Sequence, residues 1–398
     1  MKNLFYLFIA AFILGSCSND DDNNGNNDGD PNTKTYDLVS ASESSVNGKV
    51  TFERNEDGSA TVEIELDGTS EGDMHPAHIH LNSVAEGGGI VVTLQPVDGD
   101  TGISTTVVSA LDDETEITYE ELLDYDGHVN VHLSEAEMGT IIAQGDVGVN
   151  ELTDVSKTYE LTSEGEDGVE GSLTITERLS GAALVEIDLE DTEDGAEHPV
   201  NIYTNSVLET GDIAISLNPV DGATGYSATH VESLDDDTDI TYEELLEYDG
   251  HVNVHLSEDE MGTIIAWGDI GTNELTENSI VYDLESGVDE TIFGTATFVE
   301  RLSGETVVII ALEGTEAGGL HPAYLYTGTA ADASEDVAIS LNDVNGETGM
   351  SITHVGSLID DTAIDFEGMI DIDGHIRVTE SLISDDVIAQ GDVGVNAE

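Results

Sequence analysis

The sequence predicts an all-β protein made of three tandem β-sandwich or Greek-key domains, about eight strands each. Three observations carry this. Apolar and polar residues alternate with period two over short runs, the mark of strands with one buried face. Clusters of Asp, Asn, Gly and Pro cut those runs at short intervals, as turns require. The pattern then repeats: Tyr36, Tyr159 and Tyr282 lie 123 residues apart, as do His75, His198 and His321, and Gln144, Trp267 and Gln390. Gly145-Asp146-Val147-Gly148 returns as Gly268-Asp269-Ile270-Gly271 and Gly391-Asp392-Val393-Gly394. A period this long exceeds that of solenoid repeats, so each copy should fold around its own core.

In the first repeat, Val50 and Phe52 and then Val62, Ile64 and Leu66 alternate with polar residues. Further strands are expected at 78–81, 91–94, 105–108, 128–133 and 140–143, with turns at Asp57-Gly58 and Pro96-Val97-Asp98-Gly99. One short helix is expected over Tyr119–Leu123, repeated at Tyr242–Leu246. The boundaries read as residues 34–154, 155–277 and 278–398, with no Pro/Gly-rich linker between neighbours.

Ahead of the repeats stands an address. Leu4 to Gly15 is an apolar run of 12 residues behind Lys2, too short to span a bilayer and suited to a signal-peptide core. The run ends in Leu14-Gly15-Ser16-Cys17, which resembles the lipobox of bacterial lipoproteins. That resemblance implies a signal peptide over 1–17, cleaved before Cys17, with lipidation of Cys17 and stable membrane attachment without spanning. Residues 18–33, built from Asn, Asp and Gly, read as a disordered acidic tether reaching roughly 20–25 Å. An acidic stretch after the lipid cysteine resembles the surface-export signals of Bacteroidetes lipoproteins. The expected location is the cell-surface side of the outer membrane, with the periplasmic face as the alternative.

Composition excludes several functions. Eight Lys+Arg against 86 Asp+Glu give a formal charge of −78, which argues against nucleic acid as a partner and favours diffuse Ca²⁺ or Mg²⁺ accumulation. Cys17 is the only cysteine, so no intrachain disulfide forms and no thiol remains for catalysis. No phosphate loop or nucleophile elbow is present, and carboxylates are too abundant for any pair to single out an acid and a base. Asp343-Val344-Asn345-Gly346-Glu347 and Asp98-Gly99-Asp100 read as turns first and calcium loops second. No catalytic residue is assigned.

The candidate site is histidine-rich. His75-Pro76-Ala77-His78-Ile79-His80 puts three of the chain's 12 histidines into six residues. Alternation sends Ile79 and Leu81 to the core and His78 and His80 to the opposite, solvent-facing side. Val129, Val131 and Leu133 likewise leave His128, Asn130 and His132 outside. Residues two apart on a strand stand about 6–7 Å apart, suited to joint chelation, whereas His128 and His132 are about 13 Å apart. The expected site therefore uses His78 and His80 with one of that pair and His75 as a fourth, an imidazole set suited to Zn²⁺ or Cu²⁺. A merely solvated polar face is the competing reading. The second repeat has Asn201 and Tyr203 at the first pair and keeps His198, His251 and His255, with His230 in place of Val107. These four are weaker metal candidates. The third repeat has Tyr324, Tyr326 and Thr379 and keeps His321, His375 and His354.

At these residues the chain resembles the CHRD domain family. The matching parts are His78-Ile79-His80 followed by Gly87-Gly88-Gly89, then His128-Val129-Asn130-Val131-His132 and Gly139 to Gln144. The family's Gly-Glu-Ile-Arg-Gly-Gln is here Gly139-Thr140-Ile141-Ile142-Ala143-Gln144, without the glutamate, arginine and inner glycine. The resemblance implies an immunoglobulin-like β-barrel with a limited likeness to Cu/Zn superoxide dismutases, and no settled activity. Against dismutase chemistry stand the missing disulfide, the distance in sequence of Arg54 from the histidine strands, and a charge that repels superoxide. The expectation is a non-enzymatic, surface-anchored array that binds a metal ion or an unknown surface or protein partner, mainly through the first repeat. A His-ligated metalloprotein with dismutase-like oxygen chemistry is the alternative.

Overall fold

The computed structural model describes residues 31–41, 44–163, 168–193, 195–209, 211–287, 291–332 and 336–397. The expected signal peptide, Cys17 and most of the tether lie outside the described residues; Thr33, expected at the tether's end, opens the first strand.

Unit 1 comprises β1 (Thr33–Ser40), β2 (Asn47–Arg54), β3 (Ala60–Asp67), β4 (Met74–His75), β5 (Ala77–Leu81), β6 (Ile90–Thr93), β7 (Val97–Asp98), β8 (Ile103–Val108), α1 (Tyr119–Leu123), β9 (Asp126–His132) and β10 (Ile141–Gly148). All pairings are antiparallel, in the order β4-β7-β8-β3-β2-β1-β10-β9-β5-β6. β1 belongs to both layers, pairing β2 through Leu38 and β10 at Val39 and Ser40. At the far seam the chain passes from β4 through Pro76 into β5 and crosses between the layers again.

Unit 2 shows the same plan with fewer breaks: β11 (Leu152–Leu161), β12 (Glu170–Arg178), β13 (Ala183–Glu190), β14 (Glu197–Thr204), β15 (Ile213–Asp221), β16 (Tyr226–Val231), α2 (Tyr242–Leu246), β17 (Asp249–His255) and β18 (Ile264–Gly271). Their order is β11-β12-β13-β16-β15-β14-β17-β18, closed by mutual 2.8 Å backbone bonds between Thr162 and Trp267. Hairpins link β14, β15 and β16, and β17 returns beside β14, which is a Greek key. Unit 3 repeats the order of unit 1. The molecule is thus three all-β sandwiches.

The cores follow the alternation. Val50, Phe52, Val62, Ile64, Ile79, Val129 and Val131 are each at most 1 % exposed. Each such side chain contributes about 1.5–3 kcal/mol. Leu81 departs from the expectation, at 42 % exposure. A register shift lies between Ile79 and His80, and Asn82 at φ 66 turns the chain away, so the strand ends past the core's rim. α1 spans the expected residues, started by a capping box between Thr118 and Glu121.

No linker separates units 1 and 2, since β11, a strand of unit 2's sheet, runs straight through the expected boundary. The β12–β13 turn, Arg178-Leu179-Ser180-Gly181, docks on the end of unit 1. Leu179 N–H donates to Glu151 O and Ser180 N–H to Val149 O, both at 2.9 Å. Arg178, 1 % exposed, donates from Nη1 to Asp146 Oδ2 at 2.7 Å and to the Asn150 carbonyl. The next joint repeats this. Leu302 and Ser303 N–H donate to Glu274 O and Thr272 O at 2.9 and 2.8 Å. Arg301, also 1 % exposed, donates to Asp269 Oδ2 at 2.8 Å and to the Asn273 carbonyl.

The joints differ beside the arginine. In the first, Ala85 and Gln144 leave a cleft of about 680 Å³ that Arg178 and Tyr226 also line. In the second, Leu208 stands where Ala85 does and packs against Val299, Val307 and Ile309.

Candidate metal centre

The site is built by one strand pair. β5 and β9 run antiparallel with His78 opposite Asn130 and His80 opposite His128. Side chains facing one another across a pair, or diagonally, lie within reach of aromatic rings. Ring centroids accordingly stand 5.2 Å apart for His78–His132, 6.1 Å for His80–His132 and 5.8 Å for His78–His80. One nitrogen from each of His78, His80 and His132 falls within 4.8 Å of the other two.

These rings point away from the hydrophobic core, as alternation requires, but the expected solvated face is not what surrounds them. His78, His80, His128 and His132 are only 7, 8, 2 and 5 % exposed. Part of the cover is the glycine-rich turn after β5, whose Gly88 carbonyl accepts from His80 Nδ1 at 2.9 Å. A Cβ on Gly88 would collide with the Leu81 carbonyl oxygen, so only glycine lets the turn come this close.

Burial sets the protonation. It holds His78 below the ordinary imidazole range, helped by the like charge of His132 and His80 and opposed by Asp112. Burial lowers His132 as well, against the nearby Met138 carbonyl. Neutral imidazoles are the metal-binding form. Because a carbonyl only accepts, His80 donates from Nδ1, which leaves Nε2 as its nitrogen without a hydrogen-bond partner. His80 Nε2 and His78 Nδ1 are buried with no hydrogen-bond partner among the described residues, and neither nitrogen of His132 makes a well-formed bond, the Met138 carbonyl lying near but outside good geometry. Each such orphan costs about 1–3 kcal/mol.

The remaining expected ligands are not gathered into this set. His128 stacks on His80 at 5.0 Å, but its Nδ1 donates to Asn82 O at 2.8 Å and its Nε2 accepts from Asn130 at 3.2 Å. His251 and His375 make the same backbone bond, to Asn205 O and Gly328 O at 2.8 and 2.9 Å. His75 Nδ1 donates to Leu133 O at 2.9 Å, matched by His198 to Leu256 O at 3.0 Å and His321 to Glu380 O at 2.8 Å. Bonds repeated in all three units, with or without the triad, mark these six as pegs that hold loops to strands. His230 lies at the first joint, 3.9 Å from Glu86 and 3.6 Å from Glu232.

In unit 2, Tyr203 fills the place of His80. It stacks on His251 at 5.2 Å and its hydroxyl meets His255 Nε2 at 2.9 Å, so the nitrogen left open in unit 1 is closed here. In unit 3, Tyr326 stacks on His375 at 5.4 Å under the Arg377 guanidinium, 4.7 Å from the ring centre. Sequence reading missed Tyr203 as a plug and Arg178 and Arg301 as joint residues. The signal for the arginines was available: a scarce residue type recurs at one repeat position, where unit 1 has Asn55.

A Greek-key β-sandwich with a buried imidazole triad on one sheet defines the class of the first unit. Residues 33–144 match the CHRD domain family. The first unit is therefore a CHRD domain, and the two units after it repeat its architecture. No curated protein matches the chain.

Proposed function

We propose that the protein is a non-catalytic, surface-anchored array of β-sandwich units whose first unit holds a transition-metal ion on His78, His80 and His132. The observation that carries this is the convergence of three buried imidazoles with unpartnered nitrogens. A set of nitrogen donors suits Zn²⁺ or Cu²⁺. Three protein ligands leave a position for water or for a donor from a partner, so the bound ion would be the point of attachment. Membrane attachment through lipidated Cys17, with the array held off the membrane by the acidic tether, is the other half of the proposal and rests on sequence alone. Diffuse Ca²⁺ or Mg²⁺ binding by the acidic surface accompanies it.

Oxygen chemistry is the second reading, favoured by the open ligand position. Electrostatics oppose it. Every described lysine and arginine is already engaged, as in Lys34–Glu151, Lys49–Glu65, Arg54–Glu120 and Lys157–Glu274. None is left to steer an anion.

Calorimetric titration of the metal-stripped full chain with Zn²⁺ and Cu²⁺, with elemental analysis, tests the proposal. One equivalent lost in His78→Ala supports it; no stoichiometric binding ends it. Dismutase turnover by the copper-loaded chain would replace it with the second reading. For the anchor, a Cys17→Ala chain that still partitions with membranes would refute lipid attachment.

A further inference from the structure

The end of unit 3 carries the same receiving surface that units 1 and 2 use to hold an arginine. In both filled joints an Asp on the strand opposite the histidine peg offers Oδ2, and an Asn four residues later offers its carbonyl. Asp392 and Asn396 occupy these positions in unit 3. The framework around them is already set. Asp392 Oδ1 accepts from Ala330 N–H at 2.6 Å, as Asp146 does from Val84 at 2.7 Å and Asp269 from Val207 at 2.8 Å. The Asn396 side chain donates to Asp373 Oδ1 at 2.8 Å and to Gly374 O at 3.3 Å, matching Asn150 and Asn273. Val395 and Ala397 stand where Val149/Thr272 and Glu151/Glu274 present carbonyls to the docking turn. Val395 is 62 % exposed. No described residue pairs with Asp392 Oδ2.

We propose that this surface is an arginine socket that receives an arginine-led β-turn from outside the three described units. The occupant is specified by chemistry. It carries a guanidinium for Asp392 Oδ2 and the Asn396 carbonyl, and two successive backbone N–H groups for the carbonyls of Val395 and Ala397. Arg178-Leu179-Ser180 and Arg301-Leu302-Ser303 supply this set at the filled joints. Unit 1 of a second copy does not, because its turn is Asn55-Glu56-Asp57-Gly58 and the Asn55 amide is committed to Ser59 Oγ at 2.9 Å. The turn is thus not supplied by unit 1 of a second copy, and a cationic tip against so acidic a surface gains from attraction at long range.

Two measurements on the full chain test this. Substituting Asn55→Arg, Glu56→Leu and Asp57→Ser gives unit 1 the missing turn. Sedimentation should then show head-to-tail association as concentration approaches about 1 mM, the effective concentration of a short linker. Adding Asp392→Asn to that variant should restore the monomer. A folded triple variant that stays monomeric, or one that associates equally after Asp392→Asn is added, overturns the proposal. If the variant does not fold, a cyclic peptide with the sequence of residues 176–183 is titrated into the unaltered, nitrogen-labelled chain. Shifts confined to residues 392–397, absent with alanine at the peptide's arginine, support the socket; no shift at those residues refutes it.

Discussion

Units 1 and 2 share strand order, histidine pegs and capped helix, yet differ at the face of one strand pair. In unit 1, His78, His80 and His132 leave four buried nitrogens without partners; in unit 2, Asn201, Tyr203 and His255 face one another and a tyrosine hydroxyl meets His255 Nε2, leaving only His255 Nδ1 open. Unit 2 shows that the frame needs no histidine at the first pair. Unit 1 retains an arrangement that carries an energetic cost unless something occupies it, which is the pattern of a site placed on a fold.

The comparison can be broken at several points. The largest effect is expected for His80→Ala, which should weaken Zn²⁺ or Cu²⁺ binding by more than about 100-fold in a chelator competition, since outer partners of a ligand alone are worth 10–100-fold. Next comes a transplant. Asn201→His with Tyr203→His rebuilds the triad around His255, and elemental analysis should then find two ions per chain where the parent binds one; an unchanged ratio would mean the triad is insufficient.

Acid should separate the units further. Burial holds His78, His128 and His132 below the ordinary value, against His255 in unit 2. A depressed imidazole binds more protons unfolded than folded, so its stabilisation is present above about pH 6.5 and is lost as pH falls toward the folded value. In the metal-free chain, hydrogen exchange should therefore accelerate more in β5 and β9 than in β14 and β17 as pH is lowered from about 7.5 to about 5.5, once the intrinsic pH dependence of exchange is divided out. The smallest effect is Tyr203→Phe, which strands His255 Nε2 and should lower unit 2's stability in urea by about 1 kcal/mol.

Alternation in the sequence carried the layers, the core positions of Val50 to Val131 and the side on which His78 and His80 emerge, because period two is a local property. The short helix over Tyr119–Leu123 was legible too, though its capping box of Thr118 and Glu121 was not read from the sequence. Burial of the histidine face was not. It depends on Gly88 folding back over β5, a contact set by the turn's three-dimensional path rather than by any pattern. The separation of ligands from pegs was equally hidden, since His75 and His128 bond to carbonyls 58 and 46 residues away. Leu81 misled because alternation continues in the letters after the strand has left the core.

The buried arginines have a thermodynamic corollary. A unit held at one joint has one neighbour to lose, and unit 2, gripped through Asp146 on one side and through Arg301 on the other, has two. Stability in such a string is a sum of intrinsic and nearest-neighbour terms. Heat should then unravel the molecule from its outer units inward, with the middle sandwich the last to melt.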